Sequence, residues 1–381
     1  GKRSAHAPPF GEKPLQHELA CGREPVVALS TPLLVAPFAN QQALALEPES
    51  PRGHLHLAFA QLVDGEWKDG LENYEWRLKT DEGSSSLRPY PQPRWSGQPL
   101  RGKKLFLYAE QGFGDAIQCV RYAWLLAQSG AHVAIEVRRE LSRLMQHAPG
   151  ISQVIVRGDE APPFDYHCPL LSLPYAFRTT PGTVPARTPY LIAGHDHLVV
   201  WKKRIDTAGS GLRVGVCWSG NARFIADADR SITAKGLCSV LPPADVLAMP
   251  LVKSDASSTR PAGIEVGRWI DLTSKIQDFA DTAALISYLD LVVTVDTAVA
   301  HLAGALGKPV YMMVPFAPDW RWFSSGDTTP WYPTMRLFRQ THRGSWDDPL
   351  DRMRVAVTAF VRSRTGRSSP GTSEDTGMTD G

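Results

Sequence analysis

Val293-Thr-Val-Asp296-Thr297-Ala-Val-Ala-His301-Leu-Ala-Gly304-Ala-Leu-Gly307-Lys308-Pro309 reads as a strand, a helix start, a helix and the approach to a second strand. β-Branched residues favour the strand. Asp296 and Thr297 are both residue types that cap helices, and either can cap this one. Small residues, Ala300, Ala303, Gly304 and Ala305, let the helix lie close on a sheet. The apolar run Val310–Val314 then supplies the second strand. A strand, a helix and a strand in this spacing form the repeating unit of a parallel sheet with helices on both faces.

The same texture extends outward. Lys104 to Ala109 predicts a strand, Gly114 to Ser129 a helix, His132 to Val137 a strand, Glu140 to His147 a helix and Gln153 to Val156 a strand, with another strand end at Asp165–Leu170. Trp201 to Asp206 ends a helix, and Ala208-Gly-Ser-Gly211 reads as a hinge-like linker. The pattern then restarts with a strand at Arg213–Trp218, a helix at Phe279–Leu289 and a strand at Leu291–Val295. Two successive units predict two Rossmann-like domains facing across a cleft, with ligands at the carboxyl ends of the strands. We place them at residues 83–207 and 208–364. Residues 1–38 show no period and are read as an irregular segment. Residues 39–82 hold two helical stretches broken at Asp64-Gly65, a hairpin that resembles one tetratricopeptide unit. Such a unit cannot bury its own apolar face and should dock on the next domain. Residues 365–381 are polar and predicted to be disordered.

Composition narrows the function. Charged residues make up 21% of the 381, with a formal net charge of +2, so a polyanion such as nucleic acid is not an expected partner. The five cysteines, at 21, 119, 168, 217 and 238, form no CxxC pair and read as buried thiols in a reducing compartment. Val26–Phe38 is a poor export signal and too short to span a bilayer, so the chain is read as cytoplasmic, with attachment to a membrane surface left open.

Three loops carry candidate chemistry. Gln111-Gly112-Phe113-Gly114-Asp115 lies between a strand and a helix, where glycines admit a close ligand and Asp115 is either a helix cap or a base for a hydroxyl proton. Gly112 and Gly114 begin a dinucleotide fingerprint, but Ile117 stands at its third position; Glu136 would be its ribose acid. His301 lies one turn beyond Thr297, near the positive end of its helix, where a diphosphate would bind. Ser219-Gly220-Asn221 ends a strand, and Arg230 and Ser231 follow, placed to hold a phosphate or to form a solvated turn. Asp227-Ala-Asp229 has the DxD form of some metal-dependent transferases, but its flanks do not suit that fold, and no metal is assigned. Pro315 to Trp322 and Trp331-Tyr332-Pro333 are aromatic clusters that could stack on a ligand or line the crossing between the domains.

Together these stretches, with Asp165–Pro174 and Asp278–Leu285, resemble the glycosyltransferase family 9-like module, related to heptosyltransferases, of bacterial tetratricopeptide proteins. The resemblance covers residues 94–345. It implies a GT-B fold, a nucleotide-sugar donor and no cofactor. It implies Asp115 as base, donor binding by Asp296, Thr297 and His301 with Ser219, Asn221, Arg230 and Ser231 alongside, and an inverting, metal-independent transfer to a protein or glycan hydroxyl. Family members carry an apolar strand ending in Ser-Leu-Gln where Met249–Pro261 reads here as a loop. That departure keeps a non-catalytic binding module on the same fold in play. A dinucleotide-dependent oxidoreductase is disfavoured by the incomplete glycine pattern.

Overall fold

The computed structural model describes residues 41–42, 44–85, 87–207, 209–220, 227–242, 246–252 and 260–366. The expectations for residues 1–38, for Asn221, for Cys21 and for most of the tail lie outside these.

Two all-parallel sheets carry the chain. The first has β1 (Lys104–Tyr108), β2 (His132–Val137), β3 (Ile151–Val156) and β4 (Tyr166–Pro169) in the order β3-β2-β1-β4. The second has β5 (Leu212–Cys217), β6 (Val246–Pro250), β7 (Leu291–Val295), β8 (Val310–Val314) and β9 (Met335–Arg339) in the order β6-β5-β7-β8-β9. Every residue of β6 and β7 is buried, which explains their unbroken apolar runs.

Five of the longer described helices precede residue 150. These are α1 (Pro51–Val63), α2 (Trp67–Tyr74), α3 (Phe113–Cys119), α4 (Tyr122–Gln128) and α5 (Arg139–Met145). Five more follow, α6 (His195–Asp206), α7 (Ala234–Cys238), α8 (Phe279–Ser287), α9 (Ala298–Ala305) and α10 (Asp347–Thr365). The single helix expected over Gly114–Ser129 is two helices. Arg121 sits at the break, and its Nε donates to the Gln118 carbonyl at 2.9 Å, taking an acceptor that a continuous helix would use.

The largest correction concerns β6. Met249 and Pro250, read from the sequence as the start of a loop, end a buried strand that pairs in parallel with β5 from Leu212↔Val246 to Val216↔Pro250. Val246-Leu-Ala-Met carries the apolar run, and proline is tolerated because it is the last residue of the strand. The apolar strand is therefore present as far as Pro250, while residues 253–259 of that segment lie outside the described residues. β9 and α10 were not anticipated either. In Met335-Arg-Leu-Phe-Arg the exposed Arg336 alternates with buried neighbours, and the run is too short to stand out.

The two sheets meet along two seams. At one, α3 packs directly on α9. At the other, Arg143 of α5 reaches Asp278 (2.5 Å) and Asp281 (3.1 Å) of α8, and Trp201 Nε1 of α6 donates to Asp281 at 2.9 Å. α1 and α2 form a helical hairpin, with Gly65 at φ +88° in the turn. As expected for a lone unit, it docks. Trp67 is buried against Trp320, Phe323 and Trp331 at centroid distances of 5.6, 5.7 and 5.3 Å, and the Ser324 N–H donates to the Val63 carbonyl at 3.1 Å. Below it, Arg77 is buried with Glu75 (2.7 Å), Glu110 (3.0 Å) and Ser172 (2.9 Å). Burial pushes the Glu110 carboxyl up, and Arg77 opposes that. The four described cysteines, at 119, 168, 217 and 238, are buried free thiols.

Candidate functional site at the meeting of two helices

The site forms where the carboxyl ends of β1 and β7 face each other. β1 runs into Gln111, which is exposed, and then into α3; β7 runs into Asp296 and then into α9. Asp115 takes the capping role its position allowed and also meets the opposite half. It closes the start of α3, its Oδ2 accepting from the Gly112 N–H at 2.8 Å, and its Oδ1 accepts from Arg321 Nη2 of the opposite half at 2.6 Å. Arg321 is almost fully buried. Its Nη1 holds both oxygens of Asp319 at 2.9 Å, and its Nε donates to the side-chain Oε1 of the buried Gln118. Burial alone would lower its basicity, but the facing Asp319 and Asp115 hold the guanidinium well above its ordinary range. It is charged at any working pH. Arg321 was visible in the sequence only as part of an aromatic cluster. The Trp residues around it, Trp320, Trp322 and Trp331, are buried and line the crossing between the sheets rather than an open stacking face.

Asp296 sits at the carboxyl end of β7. Burial raises its carboxyl to about 6; the negative Asp319 adds to this, while Arg230 and Arg321 oppose it. Thr297 occupies the N-cap position of α9, yet its side chain makes no cap bond there. Its hydroxyl lies instead 3.6 Å from Cys217 Sγ and 3.5 Å from Thr294 Oγ1. This corrects the expected cap and leaves the positive end of α9 without that side chain across it. His301 is buried, with Nδ1 2.7 Å from Tyr332 Oη. Burial first, then the charges of Arg321, Arg121 and Arg230, hold its imidazole well below its ordinary range, so it is neutral. Gly114 is what lets α3 come this close. A Cβ there would lie 2.7 Å from His301 Cδ2 and 3.3 Å from Nε2.

The loop after β5 is arranged differently from expectation. Ser231 Oγ donates to Asp227 Oδ2 at 2.9 Å and accepts from the Gly220 N–H at 3.2 Å; Arg230 Nε donates to Asp227 Oδ1 at 3.0 Å. Arg230 and Ser231 are thus engaged with Asp227, a residue read from the sequence only within the DxD pair. Ser219 contributes its carbonyl to Cys217 Sγ at 3.6 Å. A Cβ on Gly220 would lie 2.5 Å from Arg230 Nη2 and from Asp227 Oδ1, so a side chain there would have to displace this ion pair. Glu136, the candidate ribose acid of a dinucleotide enzyme, is buried against Arg88 at 2.7 Å, with Arg157 at 3.6 Å, and is not presented to a ligand.

Behind His301, Trp331 and Tyr332 of the predicted aromatic cluster meet Arg121 and Tyr190, which the sequence did not single out. Arg121 donates to the Trp331 carbonyl at 2.8 Å and to Tyr190 Oη at 3.0 Å, and its guanidinium carbon lies 4.5, 5.1 and 4.8 Å from the ring centroids of Tyr190, Trp331 and Tyr332. A buried cation is held here by rings and oxygens, which ties the two sheets together next to the site.

Residues 267–313, which span α8, β7, α9 and most of β8, match the family description "Glycosyltransferase family 9 (heptosyltransferase)". Asp296, Thr297 and His301 fall within that stretch. Protein FlbA of Caulobacter vibrioides is 27% identical over 358 residues, 86% of this chain, and the chain spans 59% of the length of that relative. The crystal structure of a family 9 glycosyl transferase from Veillonella parvula is similar with a TM-score of 0.53 at 11% identity, covering 70% of this chain and 99% of that one. The E. coli ADP-heptose lps heptosyltransferase II has a TM-score of 0.47 at 11% identity, over 69% of this chain and 99% of that one. The chain therefore has the two-sheet α/β architecture of a family 9 glycosyltransferase and carries that family's sequence pattern across the helix start that faces Asp115.

Proposed function

We propose that the chain is a glycosyltransferase that moves a sugar from a nucleotide-sugar donor to a hydroxyl of a protein or glycan, with inversion and without a metal. The observation that carries this is the pairing of a carboxylate on one half, Asp115, with a helix start on the other that its N-cap side chain leaves open. The donor diphosphate would lie at the start of α9, where N–H groups and the helix dipole favour an anion, with the neutral His301 beside it. Asp115 would take the proton of the acceptor hydroxyl as its oxygen attacks the anomeric carbon. The bond to the diphosphate breaks on the opposite side, and the buried charge of Arg321 offsets the negative charge that builds on the leaving group. Because Arg321 holds Asp115 at 2.6 Å, this ion pair must loosen for the acceptor to reach the base. The docked hairpin is read as a tetratricopeptide-like unit, which favours a protein acceptor. Among the described residues no helix is long and apolar enough to cross a membrane.

A second reading, a non-catalytic binding module, is favoured by one observation: Asp115, Arg230 and Ser231 all have their polar groups engaged within the chain. A thermal-shift screen separates the two. A transferase is expected to be stabilised by one nucleoside diphosphate and its sugar conjugate, with the shift lost in His301→Ala, and to hydrolyse or transfer the sugar. A shift without turnover in any acceptor mixture supports a nucleotide-binding module, and no shift at millimolar nucleotide overturns the transferase and favours a module that binds protein.

Acidity gives an independent check. With Asp296 titrating near 6, the site presents a neutral carboxyl to the diphosphate below that pH and a carboxylate above it. Asp319 faces this group with negative charge and Arg230 and Arg321 with positive charge, while His301 stays neutral throughout. Nucleotide-sugar affinity, measured by calorimetry, is expected to rise as pH falls from about 7 to about 5 and to become nearly flat in Asp296→Asn. Affinity that weakens on acidification would place the diphosphate away from Asp296.

A further inference from the structure

A histidine ring that meets a diphosphate can act in two opposite ways. With its proton on the nitrogen facing the ligand it donates a hydrogen bond; with the proton on the other nitrogen it presents a lone pair to an anion. The groups behind His301 decide between these. Nδ1 lies 2.7 Å from Tyr332 Oη, and among the described residues Nε2 has no hydrogen-bond partner. The hydroxyl of Tyr332 has two neighbours, His301 Nδ1 at 2.7 Å and Tyr190 Oη at 3.5 Å. Tyr190 Oη has its own hydrogen placed on the Ile117 carbonyl at 3.1 Å and receives Arg121 Nη2 at 3.0 Å. The Tyr332 hydrogen therefore goes to the near, unsaturated acceptor, Nδ1, and not to the distant, already occupied oxygen.

Packing keeps this arrangement in place. Gly304 lies three residues beyond His301 on α9, and a Cβ there would be 2.4 Å from the Tyr332 ring, so the phenol lies flat on the helix only because that position is glycine. On the other side Gly114 seats α3 against the Cδ2–Nε2 edge of the imidazole. Burial holds the Tyr332 phenol well above its ordinary range, so it keeps its proton.

We infer that Tyr332 is a positioning residue that holds His301 in the Nε2–H tautomer, so that the ring offers a donor to the leaving diphosphate oxygen. The role given to that donor rests on the donor-site reading above; the tautomer itself does not.

The test is nitrogen-15 NMR of histidine-labelled full chain, with the His301 signals identified by their loss in His301→Asn. The wild type is expected to show Nε2–H. In Tyr332→Phe, which keeps the ring on Gly304 and removes only the hydroxyl, the ratio of Nε2–H to Nδ1–H is expected to fall about five- to tenfold, the worth of one hydrogen bond. Tyr190→Phe removes a neighbouring hydroxyl and is expected to leave the tautomer as it was. Nucleoside diphosphate affinity should fall in Tyr332→Phe only in proportion to the fraction of Nε2–H that is lost. A wild type with Nδ1–H, or a Tyr332→Phe ratio equal to the wild type, overturns the inference. A wild type that binds no nucleoside diphosphate overturns the donor-site reading and with it the role of the Nε2 proton, while the tautomer readout still decides the assignment of Tyr332.

Discussion

Asp115→Asn is expected to lower kcat for sugar transfer by about 10²- to 10⁴-fold while nucleotide affinity stays close to that of the wild type. The asparagine keeps the shape of the side chain and an oxygen that accepts the Gly112 N–H, so the start of α3 stays closed. It cannot take a proton from an acceptor hydroxyl at neutral pH. Arg321 also loses one of its two carboxylate partners but keeps both oxygens of Asp319 and the Gln118 side-chain Oε1, which hold it where it is. The change thus separates proton transfer from architecture. A group used only in the transition state lowers kcat and kcat/KM together, and that is the pattern to look for in initial rates. Retention of more than about a tenth of the activity would mean that the proton leaves by another route.

The second large effect is structural. Trp67→Ala is expected to destabilise the chain by about 3–5 kcal/mol, the range for removing a large buried aromatic. Trp67 is 1% exposed, stacks on Phe323 and Trp331, meets Trp320 edge-on, and satisfies its own N–H on the Leu62 carbonyl at 3.1 Å. Its removal leaves a cavity bordered by rings that other polar contacts depend on. The Trp331 carbonyl receives Arg121, and Trp320 adjoins Arg321 in sequence. The loss should therefore appear as one cooperative shift of the denaturation midpoint and not as melting of the hairpin alone. Urea unfolding followed by tryptophan fluorescence and by circular dichroism tests this. Separate transitions, or a loss under about 1 kcal/mol, would show the hairpin to be a loosely held attachment.

What could be read in the sequence follows from how local each signal is. β7 and β8 were placed to the residue because an apolar β-branched run bounded by Asp or Lys-Pro needs nothing beyond itself. Asp115 and His301 could be singled out because each stands at a fixed offset from a strand end. β6 was lost because Pro250 and the polar residues after it outweighed a short run whose strand character comes from pairing with β5. The partners of the site were hidden for a similar reason. Arg321 meets Asp115 across 206 residues, and Arg121 meets the Trp331 carbonyl across 210, distances over which spacing carries no information. Asp227 was visible but assigned to a chance motif, since only the folded loop shows that it gathers Arg230 and Ser231.

The docking of the hairpin has a consequence for how the chain is made. Trp67 finds its three aromatic neighbours roughly 250 residues further along, at Trp320, Phe323 and Trp331. At translation speeds of about 5–20 residues per second, that surface waits on the order of ten seconds to a minute after leaving the ribosome before the residues that cover it exist. Everything between, including both edges of the first sheet, can assemble in that time, yet α1 and α2, which emerge before that sheet, are among the last to be sheltered. Holding chaperones would meet this protein at α1 and α2, and a ribosome stalled before residue 320 would present a chain whose first sheet is complete and whose Trp67 face is bare.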